Sequence, residues 1–450
     1  MSRTRVGVVS LGCSKNLVDT EVMLGHLDRA GCAFVTDPAE ADVVIVNTCS
    51  FIEAAREESV RAILDAASMK ESGGVKRVVV AGCMVQRYRE ELARELASDV
   101  DAFVGLDELD TIVAAVGLAP KPKSDLPLFD DRGARYLYDA ATPRKLATPP
   151  WTAYVKIAEG CDHTCSFCAI PAFRGAFRSR PRADVVAEAE SLACRGVREI
   201  NLIAQDSSHY GRDRRDEGGL PELLEALDGV PDLRWVRVHY LYPNTITDRL
   251  VETMGRCRTV VPYVDIPLQH ADPGVLRRMR RGGSAESHLA LLDRFRAAIP
   301  GAALRSTFIV GFPGETEAEF EALLAFLEAA RLDHVGVFTY SHEDSTSAHA
   351  LADDVPKATK ARRRARVMEA QQAIAFEKNL RRVGSTAEVL VEGAHPETEH
   401  LLVGRMATQA PDVDGQILIN DGHAAPGTFA RVTFTETAGY DLVGRIVGAA

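Results

Sequence analysis

The sequence predicts an α/β chain built in three parts: an N-terminal open parallel sheet, a central partial (β/α)6 barrel and a small C-terminal all-β barrel. Three observations predict it. Short apolar runs alternate with helix-length segments from residue 4 to about 120, and again from Tyr154 to Tyr340. Past Gly384 the texture changes to short alternating runs cut by Gly, Pro and Asp, the pattern of a small β-barrel of roughly OB-like size. At 450 residues the chain is too long for one core.

In the first part, RVGVVSL reads as a strand followed by a helix over Leu17–Ala30. A strand over Asp42–Asn47 precedes a helix from about Glu53 to Met69, and a strand over Arg77–Gly82 precedes a helix over Gln86–Ala97. Ala102–Gly105 adds a short strand. Residues 121–150 are rich in proline and read as a linker. The second block, 151–383, offers six strands: YVKIAEG from Tyr154, Arg198–Ala204, Arg234–Tyr240, Tyr263–Leu268, Leu304–Val310 and His334–Tyr340. Helical segments such as Ala183–Arg195 and Glu317–Ala330 lie between them. A long helix over Lys357–Arg382 leads into the third part, 384–450.

Hydrophobic content of 46% and charged content of 26% fit a water-soluble globular chain. No apolar run is long enough to span a bilayer, and the N-terminus lacks the apolar stretch of a secretory signal, so a cytoplasmic location without membrane contact is expected. Reduced thiols are the rule there, so nine cysteines point to metal binding or thiol chemistry rather than disulfides. A net charge of −11 argues against a protein whose main work is coating nucleic acid.

Cys161, Cys165 and Cys168 follow the first barrel strand, where barrels place their chemistry. Three thiolates hold three corners of a [4Fe–4S] cubane and leave one iron open to a small molecule. The competing reading is structural zinc with His163 as fourth ligand. Cys13, Cys49 and Cys83 also each follow a strand, in VVSLGC, VIVNTC and VVVAGC. In a parallel sheet those strand ends share one edge, the edge where open α/β folds bind ligands. Three such thiols suit a second cluster; the alternative is three buried cysteines acting as small hydrophobes. Cys32, Cys194 and Cys257 show no such pattern.

The CxxxCxxC loop resembles that of the radical S-adenosylmethionine superfamily. The resemblance implies a cluster whose open iron binds S-adenosylmethionine and cleaves it to a 5′-deoxyadenosyl radical. It further implies cofactor contacts from Phe167, beside the last cysteine, from Gln205 and Asp206 in LIAQDSSHYG, and from Gly311 and Gly314 in TFIVGFPGETEAEF. For each of these, packing or an ordinary turn is the alternative. With the second trio, the whole chain resembles the methylthiotransferases, which join such an N-terminal domain to a radical barrel and a TRAM β-domain. That implies two [4Fe–4S] clusters, with S-adenosylmethionine as both methyl donor and radical source, and replacement of a C–H bond by C–SCH3.

SLGCSKNLVDTE, NTCSFIEAAREES, AEGCDHTCSFCAIPAFRG and DIPLQHADPGVLRRMRRGG are similar to the RimO branch. Its implied substrate is the β-carbon of an aspartate in small-subunit ribosomal protein twelve, free or on the assembling subunit. An electron donor such as flavodoxin or ferredoxin is implied as a partner. The alternatives are a transfer-RNA adenosine methylthiotransferase and, in another class, a non-enzymatic metal-stabilised ribosome- or RNA-binding factor. Residues 384–450 hold nine acids against Arg405, Arg431 and Arg445, the wrong sign for gripping phosphates and the right one for steering a basic protein. Two basic runs, Arg277, Arg278, Arg280, Arg281 and Arg362, Arg363, Arg364, Arg366, leave a secondary nucleic-acid contact open.

Overall fold

The computed structural model describes residues 3–120, 135–216 and 218–450. The first part is a parallel sheet of β1 (Arg5–Ser10), β2 (Ala33–Val35), β3 (Val43–Thr48), β4 (Arg77–Gly82) and β5 (Ala102–Val104), in the order β2-β1-β3-β4-β5. Helices cover both faces, which is why β3 opens with the unbroken apolar run Val43–Val46 and is buried throughout. The strand order reverses between β1 and β3, so the C-terminal ends of those strands open a crevice. The short edge strand β2 has no counterpart among the expected elements. The helix after β4 begins at Cys83 and runs to Glu95, three residues earlier than its composition suggests, because Gly82 turns the chain sharply with φ of 96°.

The central part has six parallel strands in chain order. β6 (Thr152–Lys156) precedes a small antiparallel ladder of β7 (Ala158–Glu159) and β8 (Arg178–Ser179). Then come β9 (Glu199–Ile203), β10 (Trp235–Val238), β11 (Tyr263–Asp265), β12 (Ala303–Val310) and β13 (His334–Thr339). Hydrogen bonding divides them into β10-β9-β6 and β11-β12-β13, joined by a parallel bridge between Val236 and Val260. The expected partial barrel is therefore an arc of two three-stranded sheets. Its core lies between these strands and the helices outside, with Val155, Leu202, Val236, Val264, Phe308 and Leu327 all buried.

The C-terminal part closes into a barrel, β14 (Thr386–His395), β15 (Thr398–Arg405), β16 (Ile417–Asp421), β18 (Asp441–Ala449) and β17 (Phe429–Ala438) in ladder order. It docks on the central arc through Trp235, Tyr263, Leu390 and Phe429.

Residues 121–134 of the expected linker lie outside the described residues. The rest of it is a pinned strap. Tyr138 is buried and donates to Glu188, while Arg144 bridges Glu21 of the first part and Glu188 of the second at 2.5 and 2.6 Å. Proline composition reports that the strap is irregular, not that it is loose.

Candidate active site: two cysteine trios

Gly160, at φ +82°, ends the ladder strand and starts the first cysteine loop. A Cβ there would stand 2.1 Å from the carbonyl oxygen of Ala176, so only glycine lets the two ends of the loop cross. The Cys161 amide closes the crossing by donating to the Gly175 carbonyl at 3.1 Å. Ser166 stitches the middle of the loop to its surroundings. Its hydroxyl donates to the Arg278 carbonyl at 2.8 Å, its amide to Met279 at 2.9 Å, and its carbonyl accepts from Ala348. Cys161, Cys165 and Cys168 then line one cavity of about 460 Å³ with Asp162, His163 and Arg280. Burial pushes the Cys161 and Cys168 thiols up to about 12, so a metal centre there must displace protons when it binds.

His163 is engaged elsewhere than a zinc ligand would be. Its Nε2 lies 2.7 Å from Asp206 Oδ2, and its ring stacks on Tyr242 with centroids 3.7 Å apart. A cubane takes one thiolate on each of several irons and does not ask its ligands to meet at a point. The donor set fits a cluster better than zinc. Arg281, stacked 4.3 Å over Tyr242, directs Nη1 at Cys165 Sγ from 3.5 Å.

The second trio straddles the crevice at the ends of β1 and β3. Cys13 caps the helix Ser14–Arg29 and is exposed; Cys49 follows β3; Cys83 opens its helix and is buried. Gly12, at φ +93°, lets the first loop pass so close that a Cβ would lie 2.9 Å from Cys49 Cβ. Asn16 ties the three loops together. Its Nδ2 donates to the Leu11 and Thr48 carbonyls at 2.6 and 3.1 Å, and its Oδ1 accepts from Cys83 Sγ at 3.7 Å. Sequence reasoning missed Asn16, whose only local signal is its place three residues after Cys13. Burial raises the Cys49 thiol above its ordinary value and pushes Cys83 up to about 12.

The two trios are neighbours. The five-residue helix Ile170–Arg174 follows directly on Cys168, and its Ile170 and Phe173 pack with Cys83 and Leu106. Arg174 donates to Cys83 Sγ at 3.0 Å, to Glu159 at 2.9 Å and to Asp19 at 3.1 Å. Lys156 completes the cluster of charges, 2.5 Å from Asp19 and 2.7 Å from Glu159. On the rim, Arg87 pairs with Glu343 and Asp344 of the loop after β13, and Arg56 joins the same Glu343.

The other expected contacts are more mixed. Gln205 donates to Glu159 Oε1 at 2.6 Å and leaves its own buried Oε1 without a protein partner. Asp206 holds His163. Phe167 packs in an apolar group with Met279, Phe312 and Tyr340. Gly311 accommodates Lys360, whose Cγ would be 2.3 Å from a Cβ there, and donates to Glu315. Gly314 donates to Asp354 at 2.7 Å. The basic runs are largely paired internally: Arg278 with Glu319, Arg363 with Glu315, and Arg366 with Glu317 and Glu321.

Comparison with known proteins agrees with this division. Residues 5–105 match the Uncharacterized protein family UPF0004, 155–327 the Radical SAM superfamily and 383–447 the TRAM domain. The radical S-adenosylmethionine methyltransferase TsrM from Kitasatospora setae, solved with cobalamin and a [4Fe–4S] cluster, is similar in fold. The TM-score is 0.55 at 17% identity, over 77% of each chain. Ribosomal protein uS12 methylthiotransferase RimO from Anaeromyxobacter sp. (strain K) is 49% identical over 99% of this chain and 93% of its own length. RimO from Pelotomaculum thermopropionicum is 47% identical over 98% and 99%. An identity of this size along essentially the full chain, across all three domains, shows that the chain belongs to the RimO methylthiotransferase family.

Proposed function

We propose that this chain is the methylthiotransferase that adds a CH3S group to the β-carbon of an aspartate in ribosomal protein uS12. The observation that carries the reading is the pair of cysteine trios brought together by one short helix, in a chain of the RimO family. When bound, two [4Fe–4S] clusters and S-adenosylmethionine supply hydrogen abstraction and a methylated sulfur for transfer.

In this reading Cys161, Cys165 and Cys168 would hold one cluster, and the cavity they line would admit S-adenosylmethionine. Cys13, Cys49 and Cys83 hold the other. Gln205 presents its unpartnered Oε1 as a polar contact for cofactor or substrate. Asp206 positions His163 and Tyr242 beside the first loop. Phe167 backs the cysteine loop by packing with Met279, Phe312 and Tyr340, and Gly311 and Gly314 shape the turn that follows β12.

The substrate choice is supported by charge. Arg405 is buried against Glu199, which leaves Arg431 and Arg445 exposed on the C-terminal barrel beside Glu397, Glu399, Asp412, Asp421 and Glu436. That surface suits a basic ribosomal protein, free or on the assembling subunit, better than RNA phosphates. The transfer-RNA and non-enzymatic alternatives have no comparable support. A low-potential donor such as flavodoxin or ferredoxin supplies electrons, and the protein works in the cytoplasm; no described helix is long and apolar enough to cross a membrane.

The test is an anaerobic incubation with reductant, S-adenosylmethionine and either uS12 or transfer RNA. A mass gain of CH2S on uS12 is expected. A gain on the RNA alone would overturn the substrate assignment.

A further inference from the structure

Arg174 has no role in the ligand assignments, yet it is among the most completely buried charged side chains of the protein. Taking a guanidinium out of water is costly unless each of its donors is matched. Here they meet Glu159, Asp19 and the sulfur of Cys83. The four charged groups Asp19, Glu159, Lys156 and Arg174 balance one another, two against two, within a single buried network. Of the trio, the network touches Cys83, through an N–H···S contact of 3.0 Å from Arg174.

We propose that Arg174 is a positioning residue that sets the reduction potential of the cluster held by Cys13, Cys49 and Cys83, acting through the Cys83 sulfur. This rests on the ligand reading given above. When one electron enters a cluster from an external one-electron reductant, no bond breaks and the cluster gains one negative charge. An N–H donor on a ligand sulfur, and a cation behind it, stabilise that more negative state and raise the potential. Low local dielectric strengthens the effect, and the neutral balance of the network means that removing Arg174 leaves a net negative group facing the cluster. The same guanidinium grows from the helix that leaves Cys168, so it couples the seating of the first cluster loop to the electronics of the second site.

The experiment is an anaerobic redox titration of the reconstituted full-length chain, followed by electron paramagnetic resonance. Iron and sulfide are counted on each variant. Cys83→Ala identifies the second-site signal by removing it, with iron falling from about eight to about four per chain. If Cys83→Ala keeps all its iron, the ligand reading falls and this proposal with it. With the ligand reading intact, Arg174→Gln should keep its iron and lower the second-site midpoint. The reduced-to-oxidised ratio at fixed potential should drop about tenfold, about 59 mV for one electron. The first-site midpoint should stay in place. Arg174→Lys should recover part of the shift, because charge returns without the planar fork. Asp19→Asn should move the same midpoint the opposite way. An unmoved second-site midpoint in a fully loaded Arg174→Gln chain overturns the proposal. Should that variant lose its second cluster, unmoved midpoints in Arg174→Lys and Asp19→Asn overturn it equally.

Discussion

Glu199, on β9 of the central arc, accepts from Arg405, on β15 of the C-terminal barrel, at 2.6 and 3.2 Å, in a site closed to solvent on both sides. Arg237 donates to the same carboxylate at 3.0 Å. The C-terminal domain is thereby locked to the barrel by charge as well as by apolar packing.

Breaking that pair from one side should be expensive. Arg405→Met is expected to destabilise the docked C-terminal domain by about 3–5 kcal/mol, because it strips a buried carboxylate of its main partner. The pH dependence follows. Burial opposes ionisation of Glu199, but the Arg405 and Arg237 guanidiniums overcome it and hold its pKa down to about 2, against 4.5 ordinarily. The pair's contribution is complete above the ordinary value and is lost as pH falls from about 4.5 toward about 2. Thermal unfolding as a function of pH should show this acid loss in the native chain and less of it in Arg405→Met.

Asn16 holds the Leu11 and Thr48 carbonyls and faces Cys83, so it organises the second trio without being a ligand. Asn16→Ala should cost about 1–3 kcal/mol in stability through the buried acceptors left behind. It should also lower second-cluster loading while far-ultraviolet circular dichroism stays native. Iron analysis beside the first-site signal reads the outcome; undiminished loading would assign Asn16 to packing alone.

His163 gives a sharp discriminator between cluster and zinc. It pairs with Asp206 and stacks on Tyr242. His163→Ala should therefore retain about four irons and their sulfide at the first site. Loss of one bound metal with no sulfide present would restore zinc.

The two trios should separate functionally. Cys165→Ala is expected to abolish reductive cleavage of S-adenosylmethionine, since its cluster loses a ligand. Cys49→Ala should leave that cleavage largely intact and stop thiomethylation. Product analysis for 5′-deoxyadenosine and for modified uS12 distinguishes the two; thiomethylation by Cys49→Ala would remove the second-site assignment.

Much of this protein was readable along the chain because the signals are short-range. The C-x3-C-x2-C spacing confines three thiols to one loop, and the apolar runs of β1, β3 and β4 each end within three residues of a cysteine. Once the sheet is parallel, those ends must share an edge. The glycines read less well. Gly311 bends where Lys360 crosses, a contact across nearly fifty residues that its local motif does not encode.

The sequence by itself determined the three-part architecture, the two trios and the acidic tail, because periodicity, the place of each cysteine just after a strand or within one loop, and charge are all read from short stretches of chain. Only the tertiary structure decided that a helix leaving Cys168 rests on Cys83, that the strap at Tyr138 and Arg144 staples two domains, and that Arg281 and Arg363 turn inward rather than toward nucleic acid. Those relations join residues tens to more than a hundred positions apart. They follow from the packing of whole domains, where burial forces every charge to find a partner.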